Sequence, residues 1–579
     1  MKKFKEIMLI LGTFIVVSFM SLGDETVKNI ETVVSNEVEK NNELELKTTV
    51  TVEEKKEETL KIIALSELEE GYTGKGIFKD TENGITYTGF FVQGKPEGFG
   101  KTVWATGDYF EGQYVKGKME GAGKFYYKNG DVYEGLYLNN KKSGEGTYTW
   151  ADGNVYVGNF IDGKKQGLGK YIIDGNIYEG EWEAEKITGK GTLQDKENNI
   201  FRGNFVEAKL SGNENTVEFA NGERYEGAMV DGEAQGKGTY FYKNGDKYIG
   251  DFVKNQRTGE GVYLWIFGQK FEGTFLDGDM KQGKMFYIDG KTAEGNFKNQ
   301  KIDGTGTYTY PNGDKYTGQF IAEKKDGKGT LIYGDGSKFV GTFRNDYLDK
   351  GRFTFPNGEI YDGQFKNNKM EGDGAYFYKN GDKYTGTFVN NVKSGLGKMR
   401  FANGETFDGS FLTDKMLEGK YYFIDGRIYD GKFVDNLPSQ GTMQYLNGEK
   451  YVGAFGKNGK EGFGKMYYTN GDRYEGSFIA DKRTGKGIYY YSNKSKYEGD
   501  FLDGNYNGKG KYTWATGEVY EGDFKDNKKH GKGKMIWTSG TVYEGDFADD
   551  KISGQGKKTF SDGKTQKGTW DNGELVPKK

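Results

Sequence analysis

The pentapeptide Tyr-Glu-Gly-Asp-Phe begins at Tyr497, again at Tyr520 and again at Tyr543, and this beat constrains the fold more than any other feature. An aromatic-x-Gly-x-aromatic phrase opens a repeat at Tyr87 and recurs at intervals of nearly always 22 or 23 residues, to a truncated copy at Gln566. A fixed short period of this kind marks an array of identical small motifs rather than a set of globular domains. In the copy that starts at Tyr133, the marked positions are Tyr133, Gly135, Tyr137, Gly144, Gly146, Tyr148, Trp150, Asp152 and Gly153. We number positions within a repeat from that first aromatic. Alternation of this type places equivalent side chains on one face of a strand, so each repeat reads as two strands.

The Asn/Asp-Gly pair at positions 20 and 21 predicts a tight hairpin turn, because both residues tolerate positive φ. The other connection, roughly positions 7 to 13, reads as longer and Gly-rich. Together these predict an all-β fold: an elongated, single-layer, twisted antiparallel meander of about 22 β-hairpin repeats. The chain holds 94 Gly, 43 Tyr and 40 Phe against 5 Pro and no Cys, so its core is built from rings and not from Leu, Ile and Val. Glycine weakens a strand unless something uses its bare backbone, and an aromatic of a neighbouring strand lying across it supplies that use. One hairpin is marginal alone. Stacked two strands per repeat, the array would run on the order of 200 Å before twist shortens it. The ending, with Pro577, Lys578 and Lys579, suits protection of the last strand edge.

A longer period sits above the short one. Residues 225–292, 293–360 and 361–428 are three copies of a three-repeat block, and the repeats at Phe271, Phe339 and Phe407 lack Gly-x-Gly and are one residue short. The repeat from Phe201 is the most degraded, with Asn213 and Glu214 where the second glycine is expected, which marks it as a kink or a lost site.

The start of the chain has a different logic. Lys2, Lys3 and Lys5 precede an apolar stretch from Ile7 to Met20 and the small residues Ser21 and Gly23, the order of a secretory signal with a cut after Gly23. The stretch is shorter than the roughly 20 residues of a spanning helix; an uncleaved anchor is the alternative. Without cysteine, neither a lipidated cysteine nor a disulfide holds an exported product. Residues 24–70 carry 14 acids and 6 bases and almost no rings, the composition of a disordered tether, with a short helix within residues 59–70. The expected organisation is a signal peptide at 1–23, an acidic linker at 24–70 and the array at 71–579, delivered to the periplasm, the cell surface or the exterior.

Tyr-x-Gly-x-Phe, a basic loop, Gly-x-Gly and Asp/Asn-Gly at this period closely resemble the MORN (membrane occupation and recognition nexus) repeat. The resemblance covers about residues 71–579, and His530 stands where the family carries a loop histidine. It implies an elongated sheet of hairpins, and a role as a scaffold, a dimerisation element or a binder of acidic phospholipids. Only one repeat keeps the histidine, and the export signal departs from cytosolic members.

Function classes can be sorted from the residues. The 82 basic and 86 acidic side chains balance, so nucleic acid is not an expected partner. With one His and no Cys, the common nucleophile triads and His-based zinc sites lack their parts. The loop glycines precede strands and not the helix that a phosphate cradle needs. The carboxylates recur at equivalent solvent-facing places, so no cofactor, metal or catalysis is expected. Candidate anion or lipid contacts are Lys141, Lys142, Lys164, Lys165, Lys482, Arg483, Lys528, Lys529 and His530, against the alternative of solvated loop lysines balanced by nearby acids. Candidate glycan-stacking rings are Trp104, Trp150, Trp265, Trp514 and Trp537 near position 18, against the alternative that they pack the sheet itself. The reading is an exported, non-enzymatic scaffold for protein partners at the cell envelope or outside it, with a homodimer allowed. Its alternative is a module that recognises anionic lipid headgroups or cell-wall glycan.

Overall fold

A computed structural model describes residues 59–578, so the expected leader and the acidic stretch up to residue 58 lie outside the described residues. Within them the protein is all-β, with 47 strands and a single five-residue helix. The described residues divide into two compact units, 59–292 with Phe297–Gln300, and Ala293–Asn296 with 301–578.

In the first unit the Tyr133 repeat shows the construction. Strands Val132–Leu138 and Lys141–Thr149 pair antiparallel, and the second pairs in turn with Val155–Ile161. The turn between the first two is Asn139-Asn140, with φ of 50° and 70°. Two consecutive residues at positive φ make the two-residue turn whose twist matches the strands. The Asp-Gly pair lies in the wider connection instead: Gly153 N–H donates to Trp150 O at 3.0 Å, Trp150 N–H donates to Asn154 O at 2.9 Å, and Gly153 has φ 92°. The predicted roles of the two connections are therefore exchanged. The tight turn is at positions 7 and 8, and positions 9 to 17 are strand and not loop.

Gly-x-Gly acquires a different meaning as well. Gly135 pairs with Gly146 and Tyr137 with Lys142, so the second strand carries extra residues between those pairs. Gly144 sits in this bulge with φ 62°, a conformation cheap only for glycine. The short repeat at Phe271 has a smaller bulge, with Gly273 opposite Gly283, Thr274 opposite Gln282 and Phe275 opposite Met280. It has deleted the bulge residue and kept the paired glycine.

That paired glycine is the floor of the core. A Cβ on Gly135 would lie 2.5 Å from Tyr133 Oη and 2.6 Å from Gly146 Cα, and one on Gly146 would lie 2.6 Å from ring carbons of Tyr133. Rings do cover the bare backbone, but for Gly135 the ring belongs to its own strand two residues earlier and not to a neighbour. The same ring crosses onto Gly146 of the next strand. Tyr133 is 0% exposed and stands edge-on to Tyr137 at 5.3 Å and to Phe160 of the next repeat at 5.0 Å. Its hydroxyl donates to Leu136 O at 3.1 Å, so burial leaves no polar atom unpaired on this ring.

The second unit repeats the scheme. Arg473–Ile479 and Lys482–Tyr490 are joined by Ala480-Asp481, with φ of 46° and 68°. Tyr474 is buried edge-on to Phe478 at 5.1 Å and to Phe501 at 4.8 Å. Edge-to-face pairs at these distances each add about 1 kcal/mol beyond area burial, and the Tyr497, Tyr520 and Tyr543 repeats each supply another.

Each described terminus fills its hollow without a ring. Ile62–Ile63 pairs parallel with Gly74–Asp80, and Ile63, 2% exposed, lies over Gly76. The helix Leu65–Glu69 follows it. At the other end Glu574–Leu575 pairs back on Trp570 and Asp571, and Leu575 Cδ1 comes within 3.0 Å of where a Gly568 Cβ would be.

Candidate functional site

Alternation decides what each repeat can offer. Positions 1, 3 and 5 face the rings, and position 10, opposite position 5, shares that face. Positions 2, 4 and 6 face the other way, with position 9 opposite position 6. The adjacent basic pairs are thus split between two faces by the strand they start.

The position-9 members are exposed. Lys141 pairs with Asp162 at 2.9 Å, Lys482 with Asp503 at 3.0 Å and Lys528 with Asp549 at 3.3 Å, each reaching the tight turn of the following repeat. Lys164 is exposed at the same position. Surface pairs of this kind contribute about 0–1 kcal/mol each; they trim the edge rather than form a uniform cationic strip.

The position-10 members turn inward over the rings. Lys165 Nζ lies 5.2 Å from the centres of the Trp150 and Tyr171 rings and 2.9 Å from Glu185 Oε2. Lys529 is 5.3 Å from the Trp514 ring and 3.7 Å from Asp550. Arg483 lies 5.1 Å above Tyr489 and donates to Gly504 O at 2.6 Å. Lys142 lies 4.3 Å from the Tyr148 ring centre. Burial costs such cations, and a face-on ring with an acid beyond it restores the loss. At Lys460 burial works against the charge, but the bond to Asp481, the Asp481 charge and the Tyr445 hydroxyl together outweigh it and leave the amine above its ordinary range. His530 is half-buried opposite Asp523, and its carbonyl lies 3.5 Å from the Tyr520 hydroxyl.

The five candidate tryptophans are half-buried on the ring face. Trp104 stacks on Phe125 at 5.2 Å, Trp150 packs on Tyr148 at 4.6 Å, Trp265 on Tyr263 at 4.6 Å and Trp514 on Tyr512 at 4.4 Å. Trp537 has Lys558 over it at 5.5 Å.

Two features escaped the sequence reading. One is the acid near position 22. Asp131 accepts from Tyr148 Oη at 2.7 Å and Ala151 N at 2.9 Å, and Asp246 and Asp472 do the same for Tyr263 with Ile266 and Tyr489 with Ser492. Its signal was present as an acid 17 residues before a tyrosine. The other is an aliphatic residue at position 6 in most repeats, exposed by 51% at Leu138, 59% at Ile161, 62% at Ile479 and 54% at Leu502. The face opposite the rings also carries an open groove of about 1090 Å³ in the second unit, lined by Phe463 and by alternating Lys509, Glu521, Lys532 and Glu544.

Among the described residues no group of three or more His, Cys, Asp or Glu is placed to hold a metal ion. No described helix is long and apolar enough to cross a membrane.

Comparison with known proteins agrees with the geometry. No curated protein matches the chain. Similar solved structures include the TCP domain of SAS-4 from Drosophila melanogaster, in complex with a proline-rich motif of Ana2. It is 16% identical over 34% of this chain and 86% of that one, with a TM-score of 0.14. Another is a mutant TCP10 domain of Danio rerio CPAP, 10% identical over 53% of this chain and 99% of that one, with a TM-score of 0.09. At these TM-scores neither carries an argument about this chain. The MORN repeat profile matches in sixteen segments, filling residues 87–176, 178–199, 225–266, 294–338, 361–406 and 451–565. The intervals left out hold the Phe201 repeat and the repeats with the smaller bulge, so the profile and the backbone single out the same departures. The chain belongs to the MORN repeat family.

Proposed function

We propose that the chain is an exported, non-enzymatic scaffold that holds a protein partner along the face its rings leave free. The position-6 row carries this reading. Leu138, Ile161, Ile479 and Leu502 are apolar, exposed and held in register by strand pairing, each opposite a position-9 residue such as Lys141, Lys164 or Lys482. A contiguous exposed apolar patch marks an interaction surface where single scattered residues do not, and the strand register aligns these side chains in a row. Equivalent strands of successive repeats lie about 10 Å apart, so the matching partner presents apolar side chains at that interval. The charged residues of the same face are engaged in cross-strand pairs, such as Lys124 with Glu134 at 2.9 Å and Lys534 with Glu544 at 2.6 Å, which supports a structural and not a catalytic use of them. Export rests on the order of charges and apolar residues before Gly23.

The test places Leu138→Asp with Ile161→Asp, and Ile479→Asp with Leu502→Asp, in the full chain. Proteins retained from an envelope extract are compared with retention on anionic vesicles and on cell-wall polysaccharide. Loss of a retained protein in the aspartate variants, with thermal unfolding unchanged, supports the scaffold. Binding to vesicles that survives these changes but fails in Lys482→Glu with Lys528→Glu would favour the anionic-lipid reading. Retention on polysaccharide would favour the glycan reading. Sequencing the mature N-terminus tests the cut, with Asp24 the expected first residue.

A further inference from the structure

The inward cations at position 10 form a series in which every member but one finds a partner at position 8 of the next repeat, five of them an acid. Lys165 is received by Glu185, Lys325 by Asp346, Lys393 by Asp414, Lys460 by Asp481 and Lys529 by Asp550, always by the residue at position 8 of the next repeat. That acid does two things at once: Glu185 accepts from Lys165 N at 2.8 Å through one oxygen and from Nζ at 2.9 Å through the other. Arg257 and Arg483 face a glycine at position 8 but reach its carbonyl, at 2.5 Å and 2.6 Å.

Lys142 faces Gly163, and among the described residues no acid or carbonyl receives its amine; its contacts are the rings of Tyr127, Tyr133, Tyr148 and Phe160. Its backbone N–H is in the same position. Leu138 and Lys141 close the two-residue turn as a bonded pair, so Tyr137 and Lys142 form the non-bonded pair and the Lys142 N–H points toward the next repeat. There Gly163 has no side chain to accept it, and a Cβ built on Gly163 meets nothing within 4 Å. The neighbouring Tyr137 hydroxyl is buried without a partner as well.

We propose that Lys142 and the open space beside Gly163 form a carboxylate-binding site, in which a ligand's two oxygens take the places that Glu185 fills at Lys165. The state of the amine fits this assignment. Burial, reinforced by the charge of Lys165 and only partly offset by the more distant acids Glu185 and Asp131, pulls Lys142 down to about 8, so its charge is poorly supported until a carboxylate arrives. The site is reachable, since the acids that fill the equivalent places stay exposed, 45% at Glu185 and 56% at Asp481.

The test reads acetylation of individual lysines in the full chain by a neutral N-hydroxysuccinimide ester near pH 7.5, with peptide mass spectrometry. Lys142 is expected to react at least about tenfold faster than Lys165, because burial pulls its amine down while the Lys165 amine is tied to Glu185 at 2.9 Å. Acetate should slow Lys142 saturably where chloride of equal ionic strength does not. Gly163→Asp supplies the acid in place, and aspartate already adopts that backbone at Asp346 with φ 73° and Asp481 with φ 68°. In that variant Lys142 should react like Lys165 and lose its response to acetate. A glutamate-rich peptide that protects at lower concentration than acetate would assign the carboxylate to a partner's side chain, and the reverse order would assign it to a free small acid. Equal rates for Lys142 and Lys165, no advantage of acetate over chloride, or an unchanged acetate response in Gly163→Asp would each overturn the site.

Discussion

The Tyr133 and Phe201 repeats solve the same packing problem in different ways. In the first, a ring that is 0% exposed lies over the paired glycines Gly135 and Gly146. In the second, Asn215 stands opposite Gly227 where a glycine is expected, and its side chain occupies the hollow. Asn215 is 3% exposed, accepts from Asn204 N at 3.1 Å and donates to Gly212 O at 2.8 Å. With the hollow taken, Phe201 is only half-buried, and the strand after it breaks into Lys209–Leu210 and Gly212–Glu218. The residue that replaces the glycine is Asn215, so the sequence expectation of Asn213 and Glu214 was displaced by the irregular backbone between these strands. The hollow between paired glycines is thus the element the array conserves physically: a ring fills it, or something else must.

This contrast can be broken most sharply by emptying the hollow. Tyr133→Ala should cost about 3–5 kcal/mol locally, while Phe201→Ala, at a ring already half-exposed, should cost about 1 kcal/mol; amide hydrogen exchange of the flanking strands separates the two. Filling the floor comes next. Gly146→Val must expel the Tyr133 ring, at about 1–3 kcal/mol, and chemical denaturation would show an unchanged midpoint if the ring did not depend on that glycine. Asn215→Ala should cost about 1–2 kcal/mol through the Asn204 N–H and Gly212 carbonyl that lose their partner, seen as faster exchange of the Asn204 amide.

The smallest effect is one of pH. Burial opposes the charge on Asp131, but the bonds from Tyr148 and Ala151, with Asn129 and the charge of Lys142, together outweigh it and hold its carboxyl below the ordinary range. A group depressed on folding adds stability that is complete above its unfolded pKa, near 3.9, and is lost as pH falls through the folded value. Protection of the Ala151 amide should therefore fall on acidification, by about 1 kcal/mol or less. The Ala220 amide, bonded at 2.9 Å to the carboxamide of Asn199, should not follow, and Asp131→Asn should remove the difference.

Much of the fold was legible because its signals are periodic. Alternating rings gave the strands, and glycine beside them gave the ring-over-backbone core. The two connections were exchanged because both carry turn residues; only cross-strand pairing such as Leu138 opposite Lys141 shows which is short. The same one-step ambiguity hid the fate of the basic pairs, since moving a strand start by one residue moves each side chain to the other face. Lys164 and Lys165 read as one patch, yet one is exposed and the other lies over the rings. The Lys142 site was invisible for another reason: it is defined by a missing partner 21 residues away, at Gly163.

The sequence alone determined the motif, its period and the pairing of rings with glycine, because these are local rules that every copy restates. The tertiary structure decided which face each charge occupies and which neighbour receives it. That depends on register between strands and on side chains meeting across repeats, which no single repeat encodes.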